Sequence, residues 1–498
     1  MSSDGYRYGT HRFWEMLQGI LFWCTLVLSI SLSFFAPVWV IVFIIVFDLF
    51  WLFRVAYFVV HLFSAWREYR RTTATNWFAK LAGIQGTDRV HHVVFLPTYK
   101  EDADIIRSTL RSLRDCVFPN DRIFIVLAGE ERDASRFRRN AELMRREFGH
   151  VFKRIIVTEH PVDLPDEIPG KGSNLHWAGR RVEEIFAAEY PELKDEDIVV
   201  SSFDVDTVVH PQYFAYLTYL YCTVPSPTRT SYQPVALFSN NIWTTPAPVR
   251  VAAFGTTFWI LTELARPERL WTFSSHSMPW VMLKDVGFWQ KDIVTEDSRI
   301  FMQAFIRYEG DYRVTPMFMP VSMDTVTGAT YSQALVALYK QMRRWAWGVE
   351  HLPYMIEQFR KHPGIPGRLK FKYVFNHIEG MYTWAAAPLL IFILGWLPLK
   401  LASTEANALV QAAPFTLEWL MRLAMIGAFV SGTLSLTLLP PRPLSVRRWT
   451  WLVMIAQWAL LPVTFILFGA LPAIDAQTRL MVGKYLGFNV TAKSRKGT

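Results

Sequence analysis

The chain has 498 residues, 51% of them hydrophobic, 15% aromatic and only 19% charged. That is too little charge for a wholly soluble protein of this size and too much for one lying wholly in a bilayer, so membrane segments joined to an aqueous domain are expected. The net charge of +9 suits anionic lipid headgroups or a phosphate-bearing substrate. The arginines are scattered and form no aromatic-interleaved basic strip, which argues against nucleic acid as a partner.

Residues 19–63 are one long apolar stretch, right for two spans broken near Pro37. Arg7 and Arg12 precede it; Arg67, Arg70 and Arg71 follow it. Basic flanks on both sides predict a hairpin with both ends in the cytoplasm. Residues 64–375 hold no comparable run and predict a cytosolic domain of about 300 residues with its own core. Within it, strand and helix signals alternate. Strands are expected at 91–97, 122–129, 154–160 and 197–206, and helices at 103–113, 134–148 and 173–188. Such alternation implies a parallel α/β sheet with helices on both faces, which binds ligands at the carboxyl ends of its strands.

Three more apolar stretches follow, near Trp384–Leu401, Leu417–Leu439 and Trp451–Leu471. Arg442, Arg447 and Arg448 put the loop between the last two in the cytoplasm, and Lys484, Lys493, Arg495 and Lys496 put the C-terminus there too. Three full crossings cannot satisfy both. The last stretch, with Gln457 and Pro462, is the candidate for a re-entrant or interfacial segment. The expected organisation is a membrane hairpin (1–65), a cytosolic domain (66–350), an interfacial amphipathic segment (351–375), membrane segments (376–475) and an interfacial tail (476–498).

Several short motifs stand out. FDVD sets Asp204 and Asp206 two residues apart at a strand end, where carboxylates suit a hard divalent cation carrying a diphosphate. A lone pair of this kind is more often a solvated turn. PGKGSN (169–174) is a Gly-rich turn with Lys171 ahead of a helix, suited to a phosphate or simply a loop. VTED (294–297) reads in isolation as a helix start capped by Thr295. QMRRW (341–345) and FNVTAK (488–493) complete the set. The three cysteines, Cys24, Cys116 and Cys222, offer neither a disulfide framework nor zinc spacing.

In their order, PTYKED, KGSN, FDVD, VTED, QMRRW and FNVTAK resemble the membrane-embedded processive glycosyltransferases of family 2, the group of cellulose, chitin and hyaluronan synthases. The last motif tilts the resemblance toward the cellulose synthases. The resemblance implies a GT-A-type domain with a Rossmann-like mixed sheet, joined to an α-helical transmembrane bundle. It implies an inverting enzyme in the inner or plasma membrane, working on a nucleotide sugar, UDP-glucose by default, and a growing β-linked polysaccharide that it translocates. The cofactor would be Mg2+ or Mn2+, held by Asp206 with Asp204. Asp297, beside Glu296, would be the general base. Lys171, Asp204 and Arg344 would meet the diphosphate, with Thr491 and Lys493 closing over it. Pro97, Thr98, Tyr99 and Glu101 would line the base and ribose. Gln341 and Trp345 would shape the acceptor site, an indole offering a flat apolar face to a sugar. His276, in FSSHSMPW, lies where the family contacts its acceptor, although an ordinary loop histidine is the plainer reading.

The chain departs from the family at the end of its second strand. An Asp-Asp-Gly usually reads the uracil there, whereas here IVLAGEERD puts Ala128 and Gly129 in its place, with Glu130 as a shifted substitute. Two other readings remain at this level. One is a single-addition transferase with a lipid acceptor; the other is a non-catalytic membrane scaffold. Accessory or further subunits are not legible.

Overall fold

The computed structural model describes residues 10–402 and 407–487. Its centre is an eight-stranded sheet of β1 (His91–Pro97), β2 (Ile123–Glu130), β3 (Arg154–His160), β4 (Ile198–Ser202), β5 (Val208–Val209), β6 (Thr230–Phe238), β7 (His276–Pro279) and β8 (Arg313–Met323). The spatial order is β3-β2-β1-β4-β7-β6-β8-β5. β3, β2, β1 and β4 run parallel. β7 is antiparallel to both β4 and β6, and β5 to β8. The strands read from the alternation, β1 to β4, run parallel as that pattern implies, and the antiparallel pairings of β7 and β5 make the whole a mixed sheet, as the resemblance implies. The alternation stops after β4, and β7 is a four-residue strand too short to register in a hydropathy pattern.

The parallel strands are near-continuous apolar runs because both faces are covered. Val93, Phe95, Phe124 and Val126 face one buried cluster. Val94, Leu96, Ile125 and Leu127 face the other, beneath the helices Ala103–Arg114, Ala134–Phe148 and Tyr213–Thr223. In Ala134–Phe148 the buried Phe137, Ala141, Met144 and Phe148 recur every three to four residues, forming one stripe along an otherwise arginine-rich helix.

Among the described residues five helices are long and apolar enough to cross a membrane: Thr10–Phe35, Pro37–Thr73, Gly367–Leu401, Ala408–Thr437 and Thr450–Met481. The first two break at Ala36, as Pro37 dictates. Pro37–Thr73 does not end near residue 65. It runs on, and its Leu62 and Ala65 are fully buried in the same cluster as Val93 and Phe95. The expected interfacial segment divides: His351–Lys361 is one helix, and Gly367 already begins the next. The last apolar helix meets the sheet domain at both ends. Trp451 packs edge-on against Trp243 at 5.2 Å, and the Arg250 Nε donates to the Gln457 Oε1 at 2.6 Å. Toward the other end, Arg343 pairs with Asp475 at 2.7 Å.

Candidate active site

The carboxyl ends of β1, β2 and β4 share one edge of the sheet. β4 stops at Ser202, so FDVD is a turn beyond the strand and not its last residues; the Thr207 N–H closes it on the Asp204 carbonyl at 2.9 Å. This projects the Asp204 side chain out of the sheet, where Ser274 Oγ donates to its Oδ2 at 2.6 Å. Asp206 turns inward instead. It is fully buried, and its Oδ2 accepts the Asp324 N–H at 2.8 Å.

Opposite Asp204 begins the helix Lys171–Glu189. Lys171 lies in its first turn, two residues earlier than the sequence pattern suggests. Gly172 makes this possible: a Cβ there would stand 2.9 Å from the Gln290 carbonyl oxygen and 3.3 Å from Glu296 Cβ. The close approach delivers Lys171 Nζ to a carboxylate cluster. It lies 2.8 and 3.0 Å from the two Asp297 oxygens, 2.9 Å from Asp204 Oδ1 and 3.3 Å from Glu296 Oε1. Burial works against the ammonium's charge, but Asp204, Asp297 and Glu296 outweigh it and hold Lys171 well above the ordinary lysine range. Glu296 is pushed up to about 7, first by burial and then by repulsion from Asp297, with Lys171 and Arg344 acting the other way.

Glu296 and Asp297 open the helix Glu296–Arg307, but Thr295 does not cap it through its side chain. Its hydroxyl donates to Glu350 Oε1 at 2.7 Å instead. Thr272 Oγ1 donates to the Asp297 carbonyl at 2.6 Å. Arg344 sits near the end of the helix Tyr331–Ala346, close enough for its charge to act on Glu296. Gln341 and Trp345, on the same helix, line a narrow cavity with Phe238, Val249, Thr256 and Val326. The Trp345 and Phe238 rings are 5.6 Å apart.

At the far end of the strand edge stand the residues expected around a nucleoside. Thr98 is buried, and its N–H donates to the Ala128 carbonyl at 2.8 Å, extending the β1–β2 pairing. Pro97 ends β1. The Tyr99 N–H donates to Glu101 Oε2 at 2.6 Å. The Arg132 guanidinium lies 4.2 Å over the Tyr99 ring and is ion-paired to the buried Glu130. Gly129, where the family's aspartate pair would fall, has the Phe137 ring 2.2 Å from any Cβ, so the missing acid has no room.

The structure thus gathers Lys171, Asp204, Glu296, Asp297 and Arg344. His276 is fully buried in β7, its Nδ1 2.7 Å from the Phe273 carbonyl oxygen, and near enough to Asp297, Lys171 and Asp204 for their charges to act on it. Burial lowers its pKa to about 4. It is a buried strand residue and not the loop histidine that the sequence suggested. Thr491 and Lys493 lie outside the described residues. Ser274, Glu350 and Gly172 were not singled out from sequence; Gly172, inside KGSN, and Ser274, inside FSSHSMPW, sat in stretches that could have flagged them, and Glu350 did not.

Among the described residues no group of three or more His, Cys, Asp and Glu is arranged to hold a metal ion. Magnesium needs only one or two carboxylates when a diphosphate supplies the rest. Asp204 is a hard oxygen donor, and the Lys171 ammonium among the acids stands where a cation is wanted. Asp204 with a donor's diphosphate fits such an ion, whereas Asp206 is fully buried with its Oδ2 on the Asp324 N–H and is not presented to it.

Residues 199–473 match the model of glycosyl transferase family group 2. No curated protein matches the chain. Among solved structures, it is similar to the mannosyltransferase PcManGT from Pyrobaculum calidifontis, in complex with GDP-Man and Mn2+. The identity is 16%, over 82% of this chain and 99% of that one, with a TM-score of 0.41. It is also similar to residues 1–349 of S. aureus TarS in complex with UDP-GlcNAc, at 14% identity over 69% and 90% of the two chains, with a TM-score of 0.31. Neither likeness is high enough to carry a donor or a metal across. The family match spans more than half of the chain and takes in Asp204, Asp297 and Arg344, and on that ground the chain belongs to glycosyl transferase family group 2 and is a GT-A-type glycosyltransferase.

Proposed function

We propose that the protein is a membrane-embedded, inverting polysaccharide synthase. It takes a sugar from a nucleoside diphosphate donor, adds it to a β-linked polymer and passes that polymer on through its membrane helices. The observation that carries this reading is the convergence of Asp204, Glu296 and Asp297 on Lys171, beside Arg344, at the carboxyl edge of the sheet.

Asp297 takes the proton from the acceptor hydroxyl. That oxygen attacks the anomeric carbon from the face opposite the diphosphate, and the bond to the diphosphate breaks, inverting the centre. Before a donor arrives, the Lys171 ammonium is shared among the acids. On binding, it exchanges Asp297 for a phosphate oxygen, which leaves the carboxylate open to the acceptor. Arg344 offers a guanidinium fork to the same diphosphate. Three carboxylates around one ammonium leave the pocket short of positive charge for an incoming dianion, which supports a role for Mg2+ or Mn2+. Held by Asp204 and the donor's own phosphates, with Asp206 joining only on leaving the Asp324 N–H, that ion would offset charge on the departing diphosphate.

Pro97, Thr98, Tyr99, Glu101 and Glu130 are assigned to the nucleoside end, with UDP as the default donor. Gln341 and Trp345 are assigned to the acceptor. Their cavity adjoins the helix Ala247–Leu264, which packs against Pro37–Thr73, so a growing chain would leave toward the membrane. The catalytic domain is assigned to the cytoplasm by the basic flanks of the hairpin. The last apolar helix, touching the catalytic domain at both ends, is assigned to the interface and not to a full crossing. Thr491 and Lys493 are kept as candidates for closing over the donor.

The test is to supply labelled nucleotide sugars to purified protein with Mg2+ or Mn2+. Diphosphate release with a long insoluble β-linked product supports the reading. A single-sugar glycolipid would replace it with a lipid-acceptor transferase.

A further inference from the structure

The turn that carries Glu296 and Asp297 is held from behind by residues that belong to no recognised motif. After Trp345 the chain makes one tight turn, Trp347–Glu350, and enters the helix His351–Lys361. The Glu350 carboxylate accepts the Thr295 hydroxyl at 2.7 Å and the Trp347 indole N–H at 2.8 Å, and the Val294 backbone bonds to it as well. His351 is buried beside it. Arg299 Nε donates to its Nδ1 at 3.1 Å, so the ring proton sits on Nε2. That nitrogen lies 2.8 Å from Ser298 Oγ and 3.3 Å from Thr295 Oγ1.

Val294, Thr295, Ser298 and Arg299 flank the two acids on both sides. All four are tied to Glu350 or His351. A threonine serving only as a helix cap would bond to its own helix; this one is committed to a carboxylate 55 residues away.

We propose that Glu350, supported by His351, is the positioning residue for Asp297: it fixes the Thr295 turn from the segment that carries Arg344, so that the base and the diphosphate-binding arginine form one rigid unit. This rests on the reading of Asp297 as the base. A reacting group displaced by 1 Å loses about a hundredfold in rate, so the effect is kinetic and not only structural. The donor is gripped by other residues, Lys171, Asp204 and Arg344, so its binding is not the quantity that moves.

The experiment measures diphosphate release, kcat and donor KM per folded protein for Thr295→Val, Thr295→Ser, Glu350→Gln, Glu350→Ala, the Thr295→Val/Glu350→Ala double variant and Asp297→Asn. Thr295→Val and Glu350→Ala are each expected to lower kcat about 10- to 100-fold with donor KM within about threefold. The double variant is expected to fall no further than the worse single one, because both remove the same link. Thr295→Ser restores most of what Thr295→Val loses. Should Glu350→Ala not fold, Glu350→Gln, which keeps the shape without the charge, takes its place. Losses that multiply in the double variant, or turnover within about twofold of the parent in Thr295→Val, overturn the proposal. If Asp297→Asn is inactive while Thr295→Val and Glu350→Gln turn over normally, only the positioning role falls. If Asp297→Asn keeps full turnover, the base assignment falls and this proposal with it.

Discussion

Arg343 donates to Asp475 at 2.7 Å, joining the helix of the QMRRW motif to the last apolar helix. Its neighbour Arg344 is near enough to Glu296 for its charge to act on that carboxyl. Successive residues on a helix point about 100° apart, so two adjacent arginines serve two different surfaces.

Their substitutions should therefore separate. Arg343→Met is expected to lower stability by about 1–2 kcal/mol, as for a half-buried ion pair, with donor KM little changed. Arg344→Met is expected to cost about 10²–10³ in kcat/KM at nearly unaltered stability, as for removal of a donor aimed at developing charge. Thermal unfolding alongside diphosphate release distinguishes the two. Equal kinetic losses would contradict the division.

Glu296 gives a pH dependence of stability. Its carboxyl is raised from 4.5 to about 7, by burial first and Asp297 second. The folded protein thus binds a proton between those values that the unfolded chain has released. Stability from this group is full below about pH 4.5 and is lost as pH rises to about 7. Glu296→Gln carries no such proton, so its melting temperature should fall less than the parent's between pH 5 and pH 8. Parallel melting curves at both pH values would refute the assignment.

Gly172→Ala tests the close approach that delivers Lys171. The new Cβ meets the Gln290 carbonyl oxygen at 2.9 Å and Glu296 Cβ at 3.3 Å, so the helix start and the acidic turn must part. A cost of about 1–3 kcal/mol in stability is expected, with at least about tenfold lower turnover. An alanine variant with parental kcat would show that this contact does not set the site.

Gly129→Asp asks whether the family's missing acid can be restored. The Phe137 ring, itself buried, stands 2.2 Å from the required Cβ. The variant is expected to lose about 2–4 kcal/mol or fail to fold, as for overpacking combined with an unpaired buried charge. Urea unfolding measures it. A stable variant would mean that Phe137 can swing away.

Sequence made much of this visible where one residue's chemistry dominates. Pro37 marks the helix break, and the apolar runs 91–97 and 154–160 match β1 and β3 residue for residue. Lys171, Asp204, Asp297 and Arg344 were legible because their motifs recur in order. The antiparallel β7 was not, since a four-residue strand buried by its neighbours has no period of its own. His276 was misread for the same reason: polar spelling in FSSHSMPW suggested a loop, but pairing with Ser202 buries it. Thr295 showed its type and not its partner, because Glu350 is distant in the chain.

The helix Pro37–Thr73 begins among apolar, membrane-type residues and finishes as part of the catalytic core, with Leu62 and Ala65 pressed into the cluster of Val93 and Phe95. Anyone wishing to excise a soluble fragment therefore has no clean cut. Starting after Thr73 would strip the sheet of its floor and leave a greasy scar, while starting earlier drags bilayer sequence along. Detergent or nanodisc preparation of the intact chain is the practical route, and any tilt of that helix in lipid must be felt as leverage on the sheet it underpins.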